Sequence, residues 1–100
     1  MYRRLRLCSS NGGYEAIAEP PRPIDLRAAR ARLEEVNVPV IDARVMLIAT
    51  LDCEVTVSRG GRLLFKTREL TVAERSFETL RSLLALPEME SESGSSPPGG

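Results

Sequence analysis

The chain has no histidine and no tryptophan among its 100 residues. Histidine is the side chain most often used as a general base and as a metal ligand, so its absence excludes every Ser-His and Cys-His catalytic pair. The two cysteines, Cys8 and Cys53, are fewer than the four ligands of a typical structural zinc site. Residues 11–13, Asn-Gly-Gly, lead into an extended segment, whereas a phosphate-binding loop opens a helix. The sequence therefore predicts no enzyme activity, no metal, no cofactor and no small-molecule substrate.

Aromatic residues and long apolar runs are also scarce. Only two tyrosines and two phenylalanines are present, so the core is predicted to be aliphatic. The longest apolar run, residues 45–49, has the length of a strand and falls far short of the ~20 residues that span a membrane. The N-terminus, MYRRLRLCSS, lacks the apolar stretch of a signal peptide. These features predict a cytoplasmic protein without membrane contact, whose two thiols are free.

Charge is balanced overall but unevenly distributed. The chain has 14 basic and 14 acidic residues, and three of the acidic ones, Glu88, Glu90 and Glu92, lie close together near the C-terminus. Residues 88–100, EMESESGSSPPGG, are acidic and then rich in Ser, Pro and Gly, and cannot bury enough apolar surface to offset the cost of ordering. We therefore predict one domain over residues 1–87 and a disordered tail over residues 88–100.

Residues 53–67, CEVTVSRGGRLLFKT, predict a β-hairpin whose register follows from the alternation of apolar residues. The apolar residues before and after the turn face each other only if residues 59–61 form a three-residue loop. A two-residue loop would instead place Val55 beside Lys66. The predicted opposing pairs are Val57 with Leu63, Val55 with Phe65, Cys53 with Thr67 and, on the other face, Glu54 with Lys66. Because Cys53 alternates with the core valines, we predict a buried, unreactive thiol.

The segments before the hairpin predict strands and one helix. Residues 2–8 predict a strand with Leu5 and Leu7 on one face, and residues 14–18 a short return strand. After three prolines, Asp25 is predicted to cap a helix whose apolar stripe comprises Leu26, Ala29, Leu33 and Val36. Residues 40–50 predict one long central strand. Its inward residues would be Ile41, Ala43, Val45, Leu47 and Ala49.

A second helix follows the hairpin. Thr71 and Glu74 are spaced as a capping box, in which each side chain binds the other residue's N–H group. Ala73, Phe77, Leu80 and Leu84 form its apolar stripe, and Pro87 prevents the helix from continuing. Two amphipathic helices need one apolar sheet face to cover, which predicts an α+β two-layer sandwich. We expect an antiparallel sheet of four or five strands in the order β-(β)-α-β-β-β-α, with both helices on one face.

The predicted sheet face without helices is the candidate binding surface. An exposed apolar patch with a polar rim typically marks a contact surface. This reasoning predicts a small non-enzymatic binding domain that self-associates, as a homodimer, or binds a protein partner through this face. Nucleic acid is the alternative partner, since the cations could contact phosphates. The candidate residues are Arg44, Met46, Ile48, Thr56, Arg62, Leu64 and Lys66.

Residues 24–84 resemble one repeat of the TATA-binding-protein fold. The similar segments are IDLRAARARL in the first helix, EVTVSRGGRLLFKTRE in the hairpin and TVAERSFETLRSLL in the second helix. The resemblance implies a curved sheet with helices on one face and DNA, or another ligand, on the other. The family's pairs of DNA-kinking phenylalanines have no counterpart, because Phe65 and Phe77 are predicted to lie in the core. A single repeat would have to dimerise to form the family's saddle.

The terminal Gly99-Gly100 leads to a second alternative. Ubiquitin-like modifiers and sulfur carriers end in Gly-Gly, and the early hairpin-then-helix order is similar to that β-grasp family. The resemblance implies that Gly100 is a site of activation and conjugation. A long tail between the last helix and the glycines differs from the family, in which a strand runs almost directly into them.

Overall fold

The computed structural model describes residues 1–8 and 12–89, and within them the chain folds into an α+β sandwich. Six strands and two helices follow one another in the order β-β-α-β-β-β-β-α. The strands are β1 (Arg6–Cys8), β2 (Gly13–Ala16), β3 (Val40–Asp42), β4 (Met46–Thr50), β5 (Glu54–Ser58) and β6 (Leu63–Phe65). The helices are α1 (Leu26–Glu35) and α2 (Leu70–Leu84). The predicted class is confirmed, although the sheet has more strands than predicted.

The described strands form one antiparallel sheet in the order β1-β2-β6-β5-β4-β3. The predicted hairpin, β5–β6, lies at its centre. Val57 pairs with Leu63 and Val55 with Phe65, and the Lys66 N–H donates to the Glu54 carbonyl. The predicted register and the three-residue loop are therefore confirmed. The short return strand is confirmed as β2, which joins β1 to the hairpin.

The prediction of one long strand over residues 40–50 is wrong. Residues 40–42 and 46–50 form two antiparallel strands joined by a turn, and β3 is an edge strand. Asp42 makes the turn: its Oδ1 accepts from the Arg44 N–H at 2.8 Å, and Arg44 has φ 74°. Aspartate commonly binds the backbone two residues on in this way. Three residues predicted to face inward, Ile41, Ala43 and Val45, are exposed as a result of the turn. The accessible fraction is 63% for Ile41 and 58% for Val45.

Helix α1 begins where the sequence predicts. The Asp25 carboxylate accepts from the Arg27 N–H at 3.0 Å and from the Ala28 N–H at 3.2 Å. Asn37, just past the helix end, has φ 61°, the left-handed conformation that ends many helices. Ala29 and Leu33 are buried, but the prediction that Val36 belongs to the apolar stripe is wrong. Val36 is exposed because it lies one position past the last helical residue, where the backbone leaves the helical path.

Helix α2 begins two residues earlier than the predicted capping box requires. The residue at its N-cap is Glu69, which makes no side-chain cap hydrogen bond, and Thr71 is already inside the first turn. The Thr67 hydroxyl accepts from the Glu69 N–H at 3.1 Å, and this contact fixes the backbone just before the helix. The predicted pairing of Thr71 with Glu74 is therefore wrong.

One face of the sheet and the two helices enclose the core. Phe77 of α2 makes edge-to-face contacts with Tyr2 and Phe65, at ring-centroid separations of 5.4 and 6.4 Å. The Tyr2 side chain is fully buried, and its hydroxyl donates to the Gly61 carbonyl at 2.8 Å. Leu5 packs against the core. Leu7 lies across from Tyr14, which lies across from Phe65, so it is on the helix side of the sheet, but it is 54% exposed because β1 is an edge strand. No helix within the described ranges is both long and apolar enough to cross a membrane.

Candidate binding face of the sheet

The face of the sheet that points away from the helices is open, and it contains most of the predicted binding residues. Along the three central strands, residues alternate between fully buried and half-buried. Because successive strand residues point to opposite faces, the half-buried set lies on the open face. Opposing residues of neighbouring strands share a face. One such row crosses the whole open face and consists of Arg6, Glu15, Leu64, Thr56, Ile48 and Ile41.

Three apolar side chains, from the two strands on either side of β5, form the middle of this face. Leu64 lies across from Thr56, which in turn lies across from Ile48, and Met46 is two residues from Ile48 on the same strand. All four are half-buried. They line a shallow hollow of about 310 Å³ with Glu54, Ser58, Arg62 and Lys66. The structure thus brings six of the seven predicted binding residues together.

Arg44 is the predicted residue that does not lie on this face. It occupies the turn between β3 and β4, and the turn carries its side chain to the helix side of the sheet. There it lines a different hollow, with Asp25 and Arg30 at the start of α1. The prediction failed because it assumed that alternation continued unbroken from Met46 back to Arg44.

Two cations next to the apolar residues of the binding face, Arg62 and Lys66, are each paired with a carboxylate of the same face. Arg62 Nε contacts Glu15 Oε2 across strands, and Lys66 Nζ lies 3.8 Å from Glu54 Oε2. The Glu15 side chain is the most buried member, at 16% exposure, whereas Arg62 is half exposed. These four residues together contribute no net charge, and both cations are already in ion pairs.

Ile41 and Glu15 are among the residues of this face that the predicted set did not include. Ile41, one of the most exposed large apolar residues described, lies across from Ile48 and extends the apolar surface to the edge strand β3. Glu15 lies across from Leu64 on the other side. The sequence signal for Ile41 was Asp42, whose tendency to form a turn separates residues 40–42 from the following strand. The signal for Glu15 was the alternation of Tyr14, Glu15 and Ala16.

The described residues show little chemistry outside this face. No group of three or more potential metal ligands occurs within the described ranges. Cys53 Sγ lies 3.6 Å from the hydroxyl of the buried Ser76, and burial raises the pKa of the Cys53 thiol above its ordinary value. A raised pKa lowers the thiolate fraction and hence the reactivity. Gly99 and Gly100, the predicted conjugation site, lie outside the described residues, as does the predicted disordered segment beyond residue 89.

Comparison of the chain with protein-family models found no match. Comparisons with curated proteins and with solved structures likewise found none. The geometry of the binding face is therefore the basis for the function proposed below.

Proposed function

We propose that this protein is a non-catalytic interaction domain and that the open sheet face binds a second copy of the chain. The observation that carries the proposal is the apolar surface formed by Met46, Ile48 and Leu64 and extended by Ile41, on the side of the sheet that no described helix covers. Burying such a surface is favourable at about 25 cal/mol per Å² of apolar area. Monomeric proteins seldom expose a contiguous apolar patch of this kind without a partner.

The charges around the apolar surface favour binding of a second copy over binding of a partner whose charges all have the same sign. A two-fold symmetric interface joins a surface to itself, so it must be self-complementary. Next to the apolar residues the binding face has two ion pairs, Arg62–Glu15 and Lys66–Glu54. A second copy can present carboxylates to these cations, and cations to these carboxylates. The resulting dimer would stack two sheets about 10 Å apart, with the helices on the outside.

The experiment is a comparison of molar masses by size-exclusion chromatography with light scattering. The wild-type protein is expected to be a dimer at high micromolar concentration, and Leu64→Lys a monomer. Lysine at position 64 lies across from Glu15, so the variant retains a favourable neighbour within its own sheet. In the dimer the same lysine would be desolvated near the centre of the interface.

Val36→Lys is the matched control for this substitution. Val36 is an exposed apolar residue at the end of α1, where a lysine is compatible with the helix dipole. This variant should keep the mass of the wild-type protein. A wild-type monomer at millimolar concentration, or equal masses for Leu64→Lys and wild type, would contradict self-association through this face.

Nucleic-acid binding through the same face is the second candidate, and the resemblance to a repeat of the TATA-binding-protein fold motivates it. Arg62 and Lys66 are the cations available there, and each would have to exchange its carboxylate for a phosphate. Titration with duplex DNA at low salt should then shift the Arg62 and Lys66 amides, and the shifts should disappear as salt rises. Unchanged amide signals at low salt would eliminate this candidate. Self-association by an apolar surface depends much less on salt.

A further inference from the structure

A hollow lined mainly by charged side chains lies beside the start of α1. Its volume is about 620 Å³, which is within the ~300–1,000 Å³ of typical small-molecule sites. We call it the cationic hollow. It contains two more cations than carboxylates, although the chain as a whole has 14 residues of each sign. Its charged lining residues are Asp25, Arg27, Arg30, Asp42, Arg44 and Arg59.

Both carboxylates of the cationic hollow are already engaged within the fold. The Asp25 carboxylate accepts from two N–H groups in the first turn of α1. Asp42 accepts from the Arg44 N–H through Oδ1 at 2.8 Å, and from Arg30 Nη1 through Oδ2 at 3.1 Å. Arg30 Nε also donates to Glu34 Oε2 at 3.1 Å. The carboxylates therefore neutralise one of the four arginines and leave three without an opposite charge.

These three arginines come from three different segments of the chain. Arg27 lies in the first turn of α1, Arg44 in the turn between β3 and β4, and Arg59 in the loop between β5 and β6. Within the described ranges, none of the three side chains has a hydrogen-bond or ion-pair partner. Like charges that line one hollow repel each other, and an anion bound between them would replace that repulsion with attraction.

Backbone hydrogen bonds hold the three segments in place. The Ile24 N–H, just before the Asp25 cap, donates to the Arg59 carbonyl at 2.8 Å. The Arg59 N–H donates to the carbonyl of Val45, the residue after Arg44, at 3.4 Å. The backbone under the three arginines is thus fixed before any ligand binds, which lowers the entropy that binding costs.

We propose that the cationic hollow binds the diphosphate group of a small molecule through Arg27, Arg44 and Arg59. A guanidinium group is planar and donates to two phosphate oxygens at once, so arginine suits phosphate better than lysine does. A diphosphate has oxygens on two phosphorus atoms and can therefore accept from three guanidinium groups together. A nucleic-acid strand would instead need a row of cations that follows its backbone.

The proposed site differs from the two other features nearby. The N-terminal N–H groups of α1 are not its donors, because Asp25 already accepts from them. It is also separate from the binding face of the sheet, since no residue lines both hollows. The inference therefore holds whether or not the chain dimerises through that face.

The test is a titration of the full chain with inorganic pyrophosphate at constant ionic strength, followed by nuclear magnetic resonance and calorimetry. The Nε–Hε signals of Arg27, Arg44 and Arg59 should shift and saturate. Sulfate should bind more weakly, because it has a single anionic centre. Arg44→Gln and Arg59→Gln should each weaken pyrophosphate binding at least about tenfold, the loss expected for one hydrogen bond between charged groups.

Arg68→Gln is the matched control. It removes the same charge from an exposed arginine that does not line the cationic hollow. This variant should bind pyrophosphate as tightly as the wild type. Equal losses in Arg44→Gln, Arg59→Gln and Arg68→Gln would show attraction by net charge alone and would contradict a defined site.

Adenosine diphosphate and geranyl diphosphate distinguish two sources of the diphosphate group. At least one of them should displace pyrophosphate, and the tighter one identifies the attached group as a nucleoside or an apolar chain. Failure of both to displace pyrophosphate would overturn the proposal, as would unchanged arginine signals in the pyrophosphate titration. Tighter binding of a single-stranded oligonucleotide at the same three arginines would also overturn it, because the hollow would then be part of a nucleic-acid surface.

Discussion

Gly61 lies where three segments of the chain meet. Its backbone has φ 100°, its carbonyl accepts from the Tyr2 hydroxyl, and its Cα faces the Arg22 carbonyl at a distance that leaves no room for a Cβ. The neighbouring Gly60 has open space around it and no positive φ. The sequence predicted a glycine loop at this position but not the crowding, because Tyr2 and Arg22 are about 60 and 40 residues distant along the chain.

Gly61→Ala should therefore destabilise the fold by at least about 2 kcal/mol, since the left-handed backbone and the contact with Arg22 both oppose a side chain. Gly60→Ala should change stability by less than about 0.5 kcal/mol. Chemical denaturation of both variants measures the difference. Equal losses in the two variants would show that the crowding at Gly61 is absent in solution.

Tyr2 gives a prediction about pH. Burial raises the pKa of Tyr2 to about 12, although the nearby Arg22 acts in the opposite direction. An unfolded tyrosine ionises near pH 10, so between pH 10 and 12 the folded state retains a proton that the unfolded state has lost. The contribution of Tyr2 to stability is therefore complete below about pH 10 and lost as the pH rises toward 12.

Tyr2→Phe should remove this part of the alkaline loss of stability. At pH 7 the variant should be less stable by about 1–2 kcal/mol, because the buried Gly61 carbonyl loses its donor. Denaturation curves at pH 7, 10 and 11.5 give both quantities. If the wild type and the variant lose stability in parallel above pH 10, Tyr2 is not the group that titrates.

At the scale of elements, the two helix starts show what local sequence can and cannot predict. Asp25 follows a proline-rich segment, and its carboxylate caps α1 as expected. In α2 the Thr71–Glu74 spacing fitted a capping box, yet Thr67 holds the backbone at Glu69 and the helix begins at Leu70. The turn at Asp42 was missed because the residues on both sides of it have the alternating apolar pattern of a single strand.

Substitution of the two predicted caps should have unequal effects. Asp25→Ala should cost about 1 kcal/mol, since the N–H groups of Arg27 and Ala28 lose their acceptor. Thr71→Ala should change stability by less than about 0.5 kcal/mol, because Thr71 is an exposed residue of the first turn and does not cap α2. Thermal or chemical denaturation compares the two. A loss of about 1 kcal/mol for Thr71→Ala would support the original capping box instead.

At the scale of the whole molecule, alternation predicted which residues share the open face but not the order of the strands. The side-chain period of two places Met46 with Ile48, and Arg62 with Leu64 and Lys66, whatever the strand order. The hairpin is central because β2 pairs with β6. The paired residues are about 50 positions apart in the sequence, so no local pattern predicts this pairing. The extension of the apolar surface to Ile41 depends on the missed turn and was therefore not predicted.

Isotope-filtered nuclear Overhauser spectra can show whether two copies meet through their open sheet faces. The sample is an equal mixture of labelled and unlabelled protein at a concentration where the mass is that of a dimer. We expect contacts between copies among the methyl groups of Met46, Ile48 and Leu64, and their loss in Leu64→Lys. Contacts between copies that involve only helix residues, or only the edge strand β3, would contradict it.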